Sequence, residues 1–186
     1  NEKVRRRALS PSTMNSLAGT SCAARWAADK ILPREPDPFS PAEIGTLGHA
    51  VLEDFYALEP DERSPERAAM LAMKHVQRVK FTDRDTSDLT EEELALKRSM
   101  LLTDVTLAYR GIFDIEQPED VKVHSLEMKL DGVEVAGVPI LGYIDRVSYT
   151  PDGALQIIDY KSGKFKKAGG FYGDDHGDQM RVYALG

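Results

Sequence analysis

The sequence predicts an α/β (α+β) domain, helical in its N-terminal half and built on antiparallel hairpins in its C-terminal half. Three observations lead there. Between residues 42 and 112 apolar side chains recur every three or four positions, the helical period. From residue 121 onward, runs rich in β-branched and aromatic residues are separated by the turn sequences Asp131-Gly132 and Pro151-Asp152-Gly153. With 186 residues, 41% of them hydrophobic and 30% charged, the chain has the size and composition to bury one substantial core. A single domain is expected over residues 1–186, helical over 10–115 and forming sheet and site over 120–186.

Bulk properties narrow the classes. No apolar run approaches the ~20 residues of a membrane span, so no membrane association is expected. Residues 1–9 also lack the apolar core of a signal peptide. The single cysteine, Cys22, excludes an internal disulfide and suits a reducing, cytoplasmic setting. A net charge of −7 argues against a polyanionic partner for the surface as a whole. Arg5-Arg6-Arg7 and the series Lys161, Lys164, Lys166, Lys167 are nonetheless local basic runs. The arginines read as solvated surface; the lysines lie beside the acids discussed below.

In chain order, Ser10-Pro11-Ser12 offers hydroxyl caps for a helix through Met14, Leu17, Cys22 and Trp26 to about Asp29. Residues 33–41 contain four prolines and form a connection. A helix follows from Ala42 to Leu58, with Ile44, Leu47, Val51, Leu52, Phe55 and Leu58 in one stripe. His49 falls away from the centre of that stripe, on the face of Glu53, where the period alone makes it a surface group. Ser64-Pro65 starts a helix to about Lys80 whose His75 reads as scaffold. A polar loop over 82–89 precedes Thr90-Glu91-Glu92-Glu93, a capping box that opens a long helix through Ile112. Residues 121–130 form a strand whose alternation is imperfect, so a bulge or twist is expected there, with Glu127 inside it. A second strand covers 133–136, and 138–149 leads into a hairpin. After Lys161 comes a Gly- and Lys-rich loop, Ser162 to Gly177, then a helix in which Gln179 and Tyr183 share a face.

The hairpin carries the chemistry. If Thr150 pairs with Ala154 across Pro151-Asp152-Gly153, Asp145 lies directly opposite Asp159, with Cβ atoms about 5 Å apart. Two carboxylates at that spacing could share a divalent cation, and Lys161, two residues on, points to the same face. Buried unpaired carboxylates cost several kcal/mol, and a cation removes that cost. The alternative is a solvated face on which Lys161 makes ordinary salt bridges.

Four segments resemble motifs of the RecB-like branch of the PD-(D/E)xK nuclease superfamily, which includes CRISPR-associated RecB-like exonucleases and phage relatives. Gly45-Thr46-Leu47-Gly48-His49 resembles its Gly-x-x-x-His helix. Gly142-Tyr143-Ile144-Asp145-Arg146 resembles Gly-x-x-Asp-Arg, and Asp159-Tyr160-Lys161-Ser162-Gly163 resembles Asp-Tyr-Lys-Thr-Gly. Gln179-Met180-Arg181-Val182-Tyr183 resembles Gln-x-x-x-Tyr. The matches run in order over residues 45–183. The resemblance implies a restriction-endonuclease-like core with a central mixed sheet, plus an N-terminal helical region.

It also implies that His49, Asp145, Asp159 and the Tyr160 carbonyl are metal ligands, which revises the surface reading of His49. Lys161, Asp145 and Asp159 would be catalytic, with Lys161 orienting the attacking water and stabilising the phosphate as charge builds. Glu127 would be an auxiliary ligand or support one. Gln179 and Tyr183 would contact substrate phosphates or support the site, and Lys164, Lys166 and Lys167 would hold substrate phosphates. Such a ligand set suits Mg²⁺ or Mn²⁺. Many relatives also hold a 4Fe-4S cluster with one cysteine in the early helix and three beyond the last one. Cys22 matches the first; four thiolates are needed, so a cluster requires cysteines C-terminal to these residues, and the chain is expected to be a piece of a longer protein. The activity implied is metal-dependent hydrolysis of DNA, as an exonuclease on single strands or DNA ends. Repair, recombination, phage or CRISPR processing would be its setting, in bacteria or phage, with a helicase, recombination or CRISPR protein as partner. The rival is a DNA-binding or docking module on the same fold that does not cleave.

Overall fold

Hydroxyl caps start three helices, two of them at Ser64 and Thr90 as expected and one at Ser40, within the stretch read as a connection. In α1 (Pro41–Tyr56) Ser40 Oγ accepts the Glu43 N–H at 3.3 Å, and in α2 (Pro65–Arg78) Ser64 Oγ accepts the Arg67 N–H at 3.3 Å. In α3 (Glu91–Tyr109) the capping box is complete: Glu93 N–H donates to Thr90 Oγ1 (3.2 Å) and Thr90 N–H to Glu93 Oε2 (2.8 Å). The computed structural model describes residues 8–10, 13, 24, 27–28, 31–32, 37–81, 88–130, 132–135, 137–162 and 177–184. Most of the expected helix from Ser10 to Asp29, most of the loop over 82–89 and all but the ends of the Ser162–Gly177 loop lie outside the described residues.

The helix expected to run through Ile112 divides instead. α3 ends at Tyr109, and Ile112–Ile115 form a short α4. Gly111 sits at the junction, where a glycine costs a helix interior about 1 kcal/mol. Phe113 and Asp114 bond back three residues, to Arg110 and Gly111, so the turn tightens.

Strands β1 (Lys122–Lys129), β4 (Tyr143–Tyr149) and β5 (Leu155–Ile158) form an antiparallel sheet in the order β1-β4-β5; β2 (Glu134–Val135) and β3 (Val138–Pro139) pair separately. The hairpin has the expected register, from Tyr149↔Leu155 to Arg146↔Ile158. Thr150 N–H donates to the Ala154 carbonyl at 2.8 Å, the Thr150 hydroxyl bonds to Asp152, and Gly153 takes φ +87. That φ is why the turn ends in glycine. The expected irregularity in β1 is a register shift between Val123 and Ser125 that leaves His124 extra. The mixed sheet is not seen among the described residues; the parallel pairing found there is an isolated bridge, Leu9↔Ile140.

Two apolar cores flank the sheet. On one side Val51, Leu52, Phe55, Ala72, Leu101 and Val105 from α1–α3 pack together, with Val123, Leu126 and Tyr160 against them. On the other, Val147, Ile157 and Ile144 meet Met180, Val182 and Tyr183 of α5 (Gly177–Tyr183). Among the described residues no helix is long and apolar enough to cross a membrane.

Candidate active site

The acids gather where β4 and β5 run out toward α1 and α5. The ladder stops at Arg146↔Ile158, so Asp145 and Asp159 are the first residues beyond it. Asp145 does not face Asp159 as a bare pair. Its Oδ2 accepts the Tyr160 main-chain N–H at 2.6 Å, and its Oδ1 lies 3.4 Å from His49 Nδ1. Asp159, whose side chain is only 8% exposed, pairs with the Lys161 ammonium and accepts the Gln179 amide N–H at 2.9 Å. Lys161 stays 44% exposed, so its charge reaches the surface beside a nearly buried acid.

α1 delivers His49 because it passes close to the sheet edge and to α3. A Cβ on Gly45 would stand 2.9 Å from Ser162 Oγ, and one on Gly48 would stand 2.9 Å from the Ala108 Cβ. The two glycines of the Gly-x-x-x-His segment are thus closest-approach positions rather than turns. His49 lies half-buried beside Asp145, not on open surface, and its ring meets the Tyr160 ring edge-on at 6.0 Å. Periodicity misplaced it because the helix is covered by sheet on that side as well. The hydrogen bond to Asp145 holds the His49 pKa above the ordinary histidine value, against burial, which lowers it.

Glu127 comes in from β1. The pairs Leu126↔Arg146 and Met128↔Ile144 bracket Glu127 and Asp145, which sets the two acids opposite each other. Glu127 is the non-glycine residue with positive φ among the described residues, at +46. Such backbone costs of order 1–3 kcal/mol and concentrates at functional sites. Burial, then the charges of Asp145 and Glu53, raise the Glu127 pKa above the usual glutamate value. Opposite, Gln179 Nε2 also donates to the Tyr183 hydroxyl at 2.7 Å. Burial raises the Tyr183 pKa, with Asp159, Asp145 and Glu127 adding to the rise, so this one hydroxyl senses all three acids.

The structure therefore brings together His49, Glu127, Asp145, Asp159, Tyr160, Lys161, Gln179 and Tyr183. Lys164, Lys166, Lys167 and Cys22 lie outside the described residues. Among the described residues no three His, Cys, Asp or Glu side chains stand close enough to hold one cation between them. In kind the donors still fit a hard divalent ion: carboxylates in excess, one imidazole and a main-chain carbonyl. Their mutual repulsion, visible at Glu127, is the field such an ion would neutralise.

Behind the site lies a buried ion pair not anticipated from the sequence. Arg146 is 2% exposed and forks onto Glu116 with bonds of 2.7 and 2.8 Å. The Tyr56 hydroxyl bonds to the same carboxylate, and the guanidinium stands 4.0 Å from the Tyr56 ring centroid. Burial and the Glu116 contact push the Tyr56 pKa far up, so the hydroxyl is a fixed donor. An arginine alternating with Asp145 on a strand that also packs against helices was the available signal. A cavity of about 660 Å³ opens along β5, with Asp159, Tyr160 and Lys161 on one wall and Leu107, Ile112 and Ile115 on the other.

An acid pair, a lysine two residues past the second acid and a histidine from a packed helix meet on an α/β scaffold. The chain belongs to the PD-(D/E)XK nuclease superfamily, whose family model matches residues 8–186. Comparison with curated proteins and with solved structures gave no match. Nucleases of this superfamily typically use divalent metals such as Mg²⁺ and act on DNA.

Proposed function

We propose that residues 1–186 form one RecB-like nuclease domain that hydrolyses phosphodiester bonds of DNA as an exonuclease on single strands or DNA ends. The observation that supports this best is the meeting of Asp145, Asp159 and Lys161 with His49 at the open end of the β4–β5 hairpin. His49, Asp145, Asp159 and the Tyr160 carbonyl would hold Mg²⁺ or Mn²⁺, with Glu127 auxiliary. The bound ion would supply an acidified water and screen the phosphate oxygens. Lys161, charged and half in solvent, stabilises the charge that builds on phosphorus-bound oxygen. Gln179 fixes Asp159 and Tyr183 together, so α5 holds the second acid in place while Tyr183 faces the acids. Lys164, Lys166 and Lys167 would hold the phosphate backbone.

The reading extends to DNA repair, recombination, phage or CRISPR DNA processing in the cytoplasm, with a helicase or similar protein as partner. An iron–sulfur cluster belongs to it only if three thiolates join Cys22, the single cysteine of the 186 residues. The test is cleavage of end-labelled single- and double-stranded DNA with Mg²⁺ or Mn²⁺. Laddering from one end, abolished by chelator and by Asp159→Ala, is the expected result. DNA binding that survives both treatments, without cleavage, would instead mark a binding module.

A further inference from the structure

We infer that Arg146 and Glu116 form a positioning clamp that sets the metal affinity of the site, an inference that rests on the metal ligands proposed above. Asp145 and Arg146 are consecutive in β4, so their side chains leave on opposite faces. In a nuclease, an arginine next to a catalytic acid suggests a phosphate contact. Here both terminal nitrogens of its fork are spent on Glu116, and the side chain is 2% exposed in the helical layer. The clamp gathers four segments: α1 through Tyr56, the residue after α4 through Glu116, β4 through Arg146, and the segment after β5 through Tyr160. The Arg146 guanidinium lies 4.0 Å from the Tyr56 ring centroid and 5.7 Å from that of Tyr160, and the two rings are near-parallel at 12°.

The consequence for the site runs through Tyr160. Its ring is held by this stack and packs edge-on against His49, while its N–H grips Asp145 at 2.6 Å. One residue thus touches two proposed ligands, His49 through its ring and Asp145 through its main-chain N–H, and carries a third, its own main-chain carbonyl. Arg146 is also bonded through the chain to Asp145. A bidentate ion pair is directional enough to fix such a stack, and groups that orient ligands typically govern metal affinity by 10–100-fold.

The test is Mn²⁺ binding by isothermal titration calorimetry on the whole chain, independent of activity. Glu116→Gln keeps the shape of the residue and removes the charge; the Mn²⁺ dissociation constant should rise about tenfold or more. Tyr56→Phe, which removes one hydroxyl contact to Glu116, should shift it in the same direction by less. Val76→Ala, in the α2 core away from the clamp, should lower the melting temperature and leave Mn²⁺ affinity alone. A Glu116→Gln or Tyr56→Phe protein that melts earlier yet binds Mn²⁺ as the parent does would overturn the inference and leave the proposed function standing. If Glu116→Gln does not fold, Tyr56→Phe decides alone. A parent chain that binds no Mn²⁺ would overturn the metal assignment, and the clamp with it.

Discussion

The two faces of β4 at residues 145 and 146 treat charge in opposite ways. Asp145, 13% exposed, has a 3.4 Å approach to His49 and one strong hydrogen bond, and it shares its field with Glu127 and Asp159. Arg146, 2% exposed, is paired fork to fork with Glu116 and lies over the Tyr56 ring. One face gathers Glu127, Asp145 and Asp159 about a lysine and a histidine, and the other matches Arg146 to Glu116 with the guanidinium out of solvent. The first arrangement leaves acids that favour a cation; the second uses up its charges in holding position. If the proposed site is right, reactivity and rigidity are separated by a single residue step.

Breaking the reactive face should show this most strongly. Asp145→Asn, which takes a carboxylate from the proposed metal site, or Lys161→Ala, which removes the cation beside the developing charge, should each reduce DNA cleavage by about 10²- to 10³-fold. Above the pH at which His49 loses its proton, Asp145→Asn should leave the melting temperature unchanged or higher, because it takes one charge from neighbouring acids while its amide oxygen can still accept the Tyr160 N–H. Cleavage assays beside thermal melts check both halves, and a large loss of stability in Asp145→Asn would contradict the contrast drawn here.

The sealed face should respond in the reverse order. Arg146→Ala leaves the Glu116 carboxylate without its ion pair, and breaking a buried pair typically costs about 3–5 kcal/mol. Urea unfolding should register that loss. Replacement of both partners by apolar residues, Arg146→Met with Glu116→Leu, should recover much of it.

The contrast also explains what the sequence could reveal. Helix starts at Ser64 and Thr90 were legible because capping is local chemistry, and the hairpin register followed from three turn residues. The positions of Asp145, Asp159 and Lys161 came from that register together with strand alternation. His49 was not legible from periodicity, since one stripe cannot describe a helix covered on two sides. Glu116 was not legible at all: it follows a four-residue helix and meets Arg146 only through tertiary packing, 30 residues away. The break at Gly111 was missed because apolar spacing continues across it.

A smaller effect tests how α1 is seated. Gly48→Ala sets a methyl 2.9 Å from the Ala108 Cβ, where neither side can rotate away, and should cost about 1–3 kcal/mol. Gly45→Ala meets a single rotatable hydroxyl, Ser162 Oγ, and should cost less stability. If the two were equally destabilising in urea, the close approach of α1 to α3 would not be the constraint proposed for Gly48.

The gentlest perturbation is pH, and it should move fold and metal binding in opposite senses through one proton. His49 has a raised pKa in the metal-free fold because Asp145 accepts its hydrogen bond. The raised value adds stability that is fully present below the unfolded pKa of about 6.5 and fades as pH rises through the folded one. Glu127, also raised, adds the same sense of change lower down, in the carboxylate range. Metal ligation needs the neutral imidazole, so Mn²⁺ affinity should instead weaken as pH falls through the raised His49 pKa, by at most about tenfold per unit for one proton. Calorimetric Mn²⁺ titrations and melts of the metal-free protein across that window should cross, and His49→Gln should flatten both curves. Parallel pH trends in the two measurements would mean that the proton on His49 and the cation do not compete for the same group, and His49 would then lose its place among the ligands.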